Sequence, residues 1–201
     1  MSLEAFGVAT AIVLSLHVPT LLIPGADVAL VSSFGLLTNR QRALWAALGV
    51  TVGSAIMVLL AVLFSESFSH LPTIAMQVIR WCGGAYLLLL AIMTLRPPEH
   101  TAARRLHAHP FTAGLLTEIT NPKTILFFLA VFTLVSRHDS SLFIQLYAGG
   151  LIILLTGIYY VGLALLSSGQ SLTRRLSRHH RPVRAAAAAL FTIAAVLLVV
   201  A

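Results

Sequence analysis

The chain has 201 residues, of which 58% are hydrophobic and 9% charged, and it carries a net charge of +7. Soluble domains hold about 25% charged residues, so this composition excludes a water-covered globular surface and makes the chain an integral membrane protein with short loops. Nucleic acid is excluded as a partner for the positive charge, because the arginines stand in short stretches between apolar runs, where they set topology and meet lipid headgroups.

The N-terminal MSLEAF lacks a basic stretch, so the first apolar run is expected to stay as a membrane helix and not to be cleaved as a signal peptide. Six apolar runs follow the length rule for membrane spans, at residues 5–37, 43–64, 72–95, 111–136, 141–168 and 184–201. The first would reach roughly 50 Å as one rod, against an apolar core of about 30 Å. It contains Pro19, Pro24 and Gly25, which predicts a kinked or broken helix. The second run carries Gly49-x-x-x-Gly53, a close-packing pattern that serves either packing within the chain or dimerisation. The fourth holds Asn121-Pro122-Lys123, with the only lysine of the chain. Asparagine is a strong N-cap and proline favours the first helical position after it, so the triplet predicts one helix ending and another starting at membrane depth.

Basic residues alternate along the chain. Arg40 and Arg42 follow span 1, Arg96, Arg104 and Arg105 follow span 3, and Arg174, Arg175, Arg178, Arg181 and Arg184 follow span 5. The positive-inside rule then puts these loops in the cytoplasm and both termini on the opposite, periplasmic side. Six spans divide into two sets of three, and an odd number per half makes the second half enter from the opposite face. The expected fold class is therefore all-α integral membrane, built as two three-helix inverted-topology repeats at 1–95 and 111–201 with a cytoplasmic linker at 96–110. Pro24 and Asn121 each lie sixteen residues from a cytoplasmic arginine, Arg40 and Arg105, which sets the two breaks at similar depth.

Charges at that depth are costly and so are paired or functional. Asp27, Arg80, Glu118 and Lys123 fall within spans. A helix starting at Asn121-Pro122 presents free N–H groups and a positive dipole end, and Lys123 adds a full charge in the same turn, a cradle for a carboxylate. A plain proline kink with Lys123 paired to Glu118 or Asp27 is the structural alternative. Pro24-Gly25 repeats the logic, with Asp27 either capping the next half-helix or facing a substrate ammonium. Glu118 is either a proton carrier or a partner for Lys123 or Arg80. Arg80 is expected to snorkel, with substrate contact as its second role. His17 reads as a satisfied core group more readily than as a relay. The accessory candidates are thus Arg80 and His17. Cys82 stands alone, so no internal disulfide or thiolate metal site can form. His107, His109, His179 and His180 lie among arginines and read as solvated loop residues. No metal or cofactor is expected.

These motifs resemble the LysE/RhtB family of bacterial amino-acid exporters, from about residue 20 to the end of span 4. The likeness rests on Pro24-Gly25-Ala26-Asp27, the small-residue helix at 42–63, the Gly-Ala-Tyr-Leu helix at 79–98 and, most closely, "GLLTEITNPKTILFFLAVF" at 114–132. Ala26 replaces a second proline of the family motif, Ser54 stands where an acidic residue is common, and Glu118 stands where asparagine is common. The resemblance implies export of amino acids or similar zwitterionic metabolites across the inner membrane by proton antiport. Pro24, Gly25, Asp27, Asn121, Pro122 and Lys123 would bind substrate, and Asp27 and Glu118 would couple protons. The expected partners are the substrate, protons and lipid, with a homo-oligomer left open. A redox enzyme is disfavoured by the lone cysteine and a metal or cation exporter by the lysine, while a non-transporting scaffold or regulatory subunit would not need charges at two matched breaks.

Overall fold

The computed structural model describes residues 3–22, 25–68 and 109–167, together with isolated helical residues between 74 and 92 and between 185 and 196. All six described elements are helices: α1 (Leu3–Leu22), α2 (Ala26–Leu37), α3 (Arg40–Phe68), α4 (Pro110–Thr120), α5 (Pro122–His138) and α6 (Leu142–Ser167). Three of them, α1, α3 over 40–64 and α6, are long and apolar enough to cross a membrane. The all-helical membrane character expected from composition is therefore present. Exposed Leu59, Leu63, Phe64, Leu154 and Ile158 are the faces such helices turn to lipid.

Both predicted interruptions exist. The first run is divided between Leu22 and Ala26, and α1 continues through Pro19. The fourth is divided at Asn121, whose φ of −75° and ψ of 112° leave the helical region. With 12 and 11 residues, α2 and α4 reach roughly 18 and 17 Å, too short to cross a membrane alone. The second run begins earlier than expected. Arg40 and Arg42 belong to the first turn of α3, because Asn39 caps it: its Oδ1 accepts the Arg42 N–H at 2.9 Å and its carbonyl accepts the Ala43 N–H at 3.2 Å. Spans 3 and 6, the 96–110 linker up to residue 108, and the basic 169–184 loop lie outside the described residues.

Helix α3 is the central element, packed against α2, α4, α5 and α6. In lipid no hydrophobic force draws helices together, so close approach depends on small residues. Gly49 and Gly114 supply it. A Cβ on Gly49 would strike the Phe111 carbonyl and come within 2.9 Å of the Leu115 nitrogen, and one on Gly114 would strike the Ala46 carbonyl. Gly49-x-x-x-Gly53 is thus spent inside the chain, holding α4 against α3 backbone to backbone.

The apolar interior forms two clusters. One joins Ala9, Val13 and Leu16 of α1 to the later half of α3, to Phe127, Phe128 and Phe132 of α5, and to the first half of α6. The other joins Leu30, Val31 and Phe34 of α2 to Ala43, Ala46, Ala47 and Val50 of α3, Ala113 of α4, and Tyr160 and Ala164 of α6. We refer to them as the aromatic and the alanine cluster.

Candidate functional site

Between the two clusters runs a layer of buried polar side chains. On α1 the aromatic cluster takes Leu16 and the alanine cluster takes Leu21, and His17 lies between. On α3 the clusters end at Val50 and resume at Met57, with Ser54 between. On α6 they are Ile152 and Tyr160, with Thr156 between. Asp27 and Glu118, each 6% exposed, complete the layer.

This layer surrounds a cavity of about 40 Å³ lined by Gly25, Asp27, Glu118, His17, Thr20, Leu21, Thr124, Phe127, Phe128, Thr156 and Tyr160. A water needs roughly 10–15 Å³ on this measure, so the space holds about three waters. The lining comes from both interrupted runs and from α6, which is why a sequence cut into separate spans assembles one polar site.

The two breaks meet. Asn121 Nδ2 donates to Asp27 Oδ2 at 3.2 Å, linking the α4–α5 junction to the first turn of α2. Gly25 is the N-cap of α2, with extended backbone and no side chain to cap with, so Asp27 is not the cap: it sits two residues in, where a carboxylate is favoured by the positive end of the helix dipole. At the other break the Glu118 carbonyl, which Pro122 cannot serve, accepts the Asn121 N–H at 3.4 Å. The Asn121 carbonyl in turn accepts the N–H groups of Thr124 and Ile125 at 2.9 and 3.1 Å, starting α5.

Glu118 faces α3. Ser54 Oγ donates to its Oε1 at 2.7 Å, and a Cβ on Gly53 would lie 2.7 Å from the Glu118 Cβ. The glycine thus makes room for the glutamate stem, and the serine beside it receives the carboxylate. His17 Nε2 and Thr156 Oγ1 are 2.9 Å apart, a hydrogen bond joining α1 to α6 across the layer. The ring of Phe127 lies 5.5 Å from that of His17.

Of the residues singled out from sequence, Gly25, Asp27, Glu118 and His17 line one cavity, and Asn121 is bonded to it. Pro122 and Lys123 occupy the first turn of α5. Their side chains, like Pro24 and Arg80, lie outside the described residues. Sequence reasoning missed Thr20, Thr124, Thr156 and Tyr160. The one available signal was the i, i+4 spacing of Thr156 and Tyr160 on an otherwise apolar helix.

An all-helical membrane protein with a polar cavity between two apolar clusters, reached by two interrupted helices, has the build of a small-solute carrier. The chain belongs to the LysE type translocator family, whose model matches residues 18–201. It is 28% identical over 173 residues to the uncharacterized membrane protein YahN of Escherichia coli, covering 83% of this chain and 78% of that one. It is 32% identical over 131 residues to a threonine efflux protein of Salmonella typhi, covering 59% and 62% of the two chains. To a leucine efflux protein of Klebsiella pneumoniae it is 28% identical over 118 residues, 56% of each. These matches to the efflux proteins thus span less than two thirds of those chains. No solved structure matches.

Proposed function

We propose that the protein is a secondary transporter that exports amino acids or similar small zwitterions across the bacterial inner membrane by proton antiport. The observation that carries this reading is the hydrogen bond from Asn121 to Asp27, which brings both helix interruptions to one buried cavity that Glu118 also lines. A zwitterion leaving water must have both charges met, or its desolvation is not recovered. The start of α5, with the positive end of its dipole and the Lys123 charge, meets the carboxylate, and Asp27 meets the ammonium. Asp27 or Glu118 carries the coupling proton. The efflux relatives agree in substrate class, one being named for threonine and one for leucine.

The distribution of the two clusters supports the inverted repeat. Exchanging α1 with α4, α2 with α5, and α3 with α6 turns the main helices of the aromatic cluster into those of the alanine cluster, with Leu21 of α1 in the alanine cluster and Ala91, Ala188 and Ala195 in the aromatic cluster as the exceptions. Each cluster is then the seal on one side of the site, and alternating access opens one while the other stays closed. The alanine cluster lies by Arg42, on the face that the positive-inside rule makes cytoplasmic. Both termini are then periplasmic, with three-helix units at 1–95 and 111–201 around the 96–110 linker.

The test is counterflow in proteoliposomes holding the purified chain. Labelled amino acid is expected to exchange, with net movement following an imposed pH gradient, and Lys123→Met is expected to abolish exchange while the protein stays folded. Normal exchange by that variant, or no exchange by the wild type, overturns the reading.

A further inference from the structure

His17 has no role in the scheme above beyond its bond to α6. It is 5% exposed, stands on α1 between the two clusters, and lines the cavity together with Asp27 and Glu118. Its Nε2 lies 2.9 Å from Thr156 Oγ1. A hydroxyl both donates and accepts, so Thr156 partners that nitrogen whether the ring is neutral or protonated. The bond therefore fixes the ring and leaves its charge open to change. A tie between α1 and α6 does not itself need an imidazole: Thr10 and Tyr147 make one with two hydroxyls nearer the start of both helices.

The surroundings suit a group that gains and loses a proton. An imidazolium at membrane depth is costly unless a negative charge answers it. Among the described residues, the titratable groups sharing the cavity with His17 are Asp27 from α2, Glu118 from α4 and Tyr160 from α6, while α5 brings Thr124 and the rings of Phe127 and Phe128. Two carboxylates are thus at hand, and the space holds about three waters, enough to hand a proton across it. The ring of Phe127, 2% exposed, lies against His17 with its centroid 5.5 Å away and its plane tilted by 32°. Phe127 belongs to the aromatic cluster, which is the periplasmic seal in the scheme above, so the imidazole is uncovered when that seal parts. Asp27 and Glu118 are instead tied inward, one to Asn121 and the other to Ser54.

We propose that His17 takes up the coupling proton from the periplasmic side and passes it through the cavity to Asp27 or Glu118. While the aromatic cluster is open, the neutral imidazole gains a second N–H bond from periplasmic water. After closure one N–H bond breaks, a carboxylate gains the O–H bond, and the imidazole is neutral again, with cavity water handing the proton on and nothing else consumed. This rests on the antiport reading, and it adds the residue through which the proton enters.

Two assays on the full chain in proteoliposomes decide the matter, both with a uniformly labelled amino-acid mixture. Counterflow needs no net proton movement, whereas accumulation driven by an imposed pH gradient does. His17→Gln sets an amide nitrogen near the place of Nε2, which preserves a donor for Thr156 and removes the titrating group. It is expected to lower gradient-driven accumulation about tenfold more than counterflow, a modest loss for a positioned proton-transferring side chain. Thr156→Val removes the same hydrogen bond and keeps the imidazole, and is expected to lower both assays by like factors. Accumulation by His17→Gln that keeps pace with its counterflow overturns the relay and leaves the transporter reading standing. So does a Thr156→Val that loses accumulation as selectively as His17→Gln, because the bond and not the proton is then what matters. If His17→Gln gives no monodisperse peak in detergent, His17→Asn is read by the same criteria. Wild type that exchanges amino acids without answering the pH gradient overturns the relay and the antiport together. Wild type that exchanges none overturns the transporter reading itself.

Discussion

The two apolar clusters flank the same cavity and are built in opposite ways. In the alanine cluster helices touch through their backbones. Gly49 and Gly114 put α3 and α4 in direct contact, and the bare backbone of Gly35 on α2 receives the Ser167 side chain of α6. The aromatic cluster is filled by side chains: Phe127 and Phe128 pack edge to face at 5.7 Å, Phe128 and Phe132 stack at 6.5 Å, and α1 is tied to α6 by polar bridges. Backbone contacts have no rotamers to change, whereas rings and hydrogen bonds can separate and reform. In the transport cycle proposed above, the alanine cluster is then the rigid seal of this conformation and the aromatic cluster the one that yields first.

If that is right, the alanine cluster fails on enlargement. Gly114→Val is expected to cost at least ~3 kcal/mol, the upper range for overpacking, because the atoms it meets are the Ala46 carbonyl and the Val50 nitrogen rather than movable side chains. Against a stability of about 5–15 kcal/mol this is enough to deplete folded protein, read as loss of a monodisperse peak in detergent chromatography. Gly7 of α1 is the control: nothing lies within 4 Å of its Cβ position, and Gly7→Ala is expected to gain ~0.5 kcal/mol. A harmless Gly114→Val would end the distinction between the seals.

The aromatic cluster fails on truncation. Phe128 is 2% exposed and touches the rings on either side. Phe128→Ala costs about 3–5 kcal/mol in water-soluble cores. In lipid the transfer component is largely absent and the lost packing remains, so ~2 kcal/mol is expected, measured by thermal unfolding in detergent. The same variant enlarges the cavity wall, so valine and threonine counterflow should both rise relative to smaller solutes. An unchanged selectivity for size would show that Phe128 does not wall the substrate.

How much of this was legible in the residues follows the same division. Proline, glycine and asparagine mark the breaks because their backbone chemistry is local, and both interruptions fall where Pro24-Gly25 and Asn121-Pro122 put them. Charges at membrane depth are conspicuous by cost, so Asp27 and Glu118 could be singled out without knowing their partners. Ser54 was visible as a departure from a family pattern, yet its bond to Glu118 depends on how α3 lies against α4. Thr124 was silent for a related reason, and Thr156 and Tyr160 offered only their i, i+4 spacing. A hydroxyl in a membrane helix can satisfy itself on its own backbone, as Thr133 does on the Leu129 carbonyl at 2.7 Å, so residue type alone does not tell a packing hydroxyl from one that faces a cavity.

A smaller effect sharpens the claim that polar bridges hold α1. Thr10 Oγ1 and the Tyr147 hydroxyl are 2.8 Å apart, near the edge-to-face pair of Phe6 and Tyr147. Interhelical hydrogen bonds in membranes are worth about 0.6 kcal/mol on average. Thr10→Val and Tyr147→Phe are expected to show a coupling of that size in a double-mutant cycle. A coupling near zero would mean that the aromatic contact alone positions α1.

The smallest effect lies at the edge of the aromatic cluster, at the turn before α6. The Ser141 N–H donates to Asp139 Oδ1 at 2.8 Å, while Ser141 Oγ accepts the Ile144 N–H at 3.4 Å, so the two residues cap α6 in the ordinary way that the in-membrane start of α2 does not. The hydrogen bonds from Ser141, backbone first and then side chain, hold the Asp139 carboxyl below its ordinary pKa of 3.8. A depressed carboxylate stabilises the fold above its unfolded pKa, and that stabilisation is lost as pH falls through the folded value. Asp139→Asn should therefore lower the thermal midpoint slightly at pH 7, and the gap to wild type should close as the wild-type carboxyl protonates in strong acid. Transport selectivity should not change at any pH, because this cap meets the aromatic cluster only at the Ile144 backbone and does not line the cavity. A change in which amino acids Asp139→Asn exchanges would instead tie the start of α6 to the site, and the seal next to it would have to be counted as less independent than its packing implies.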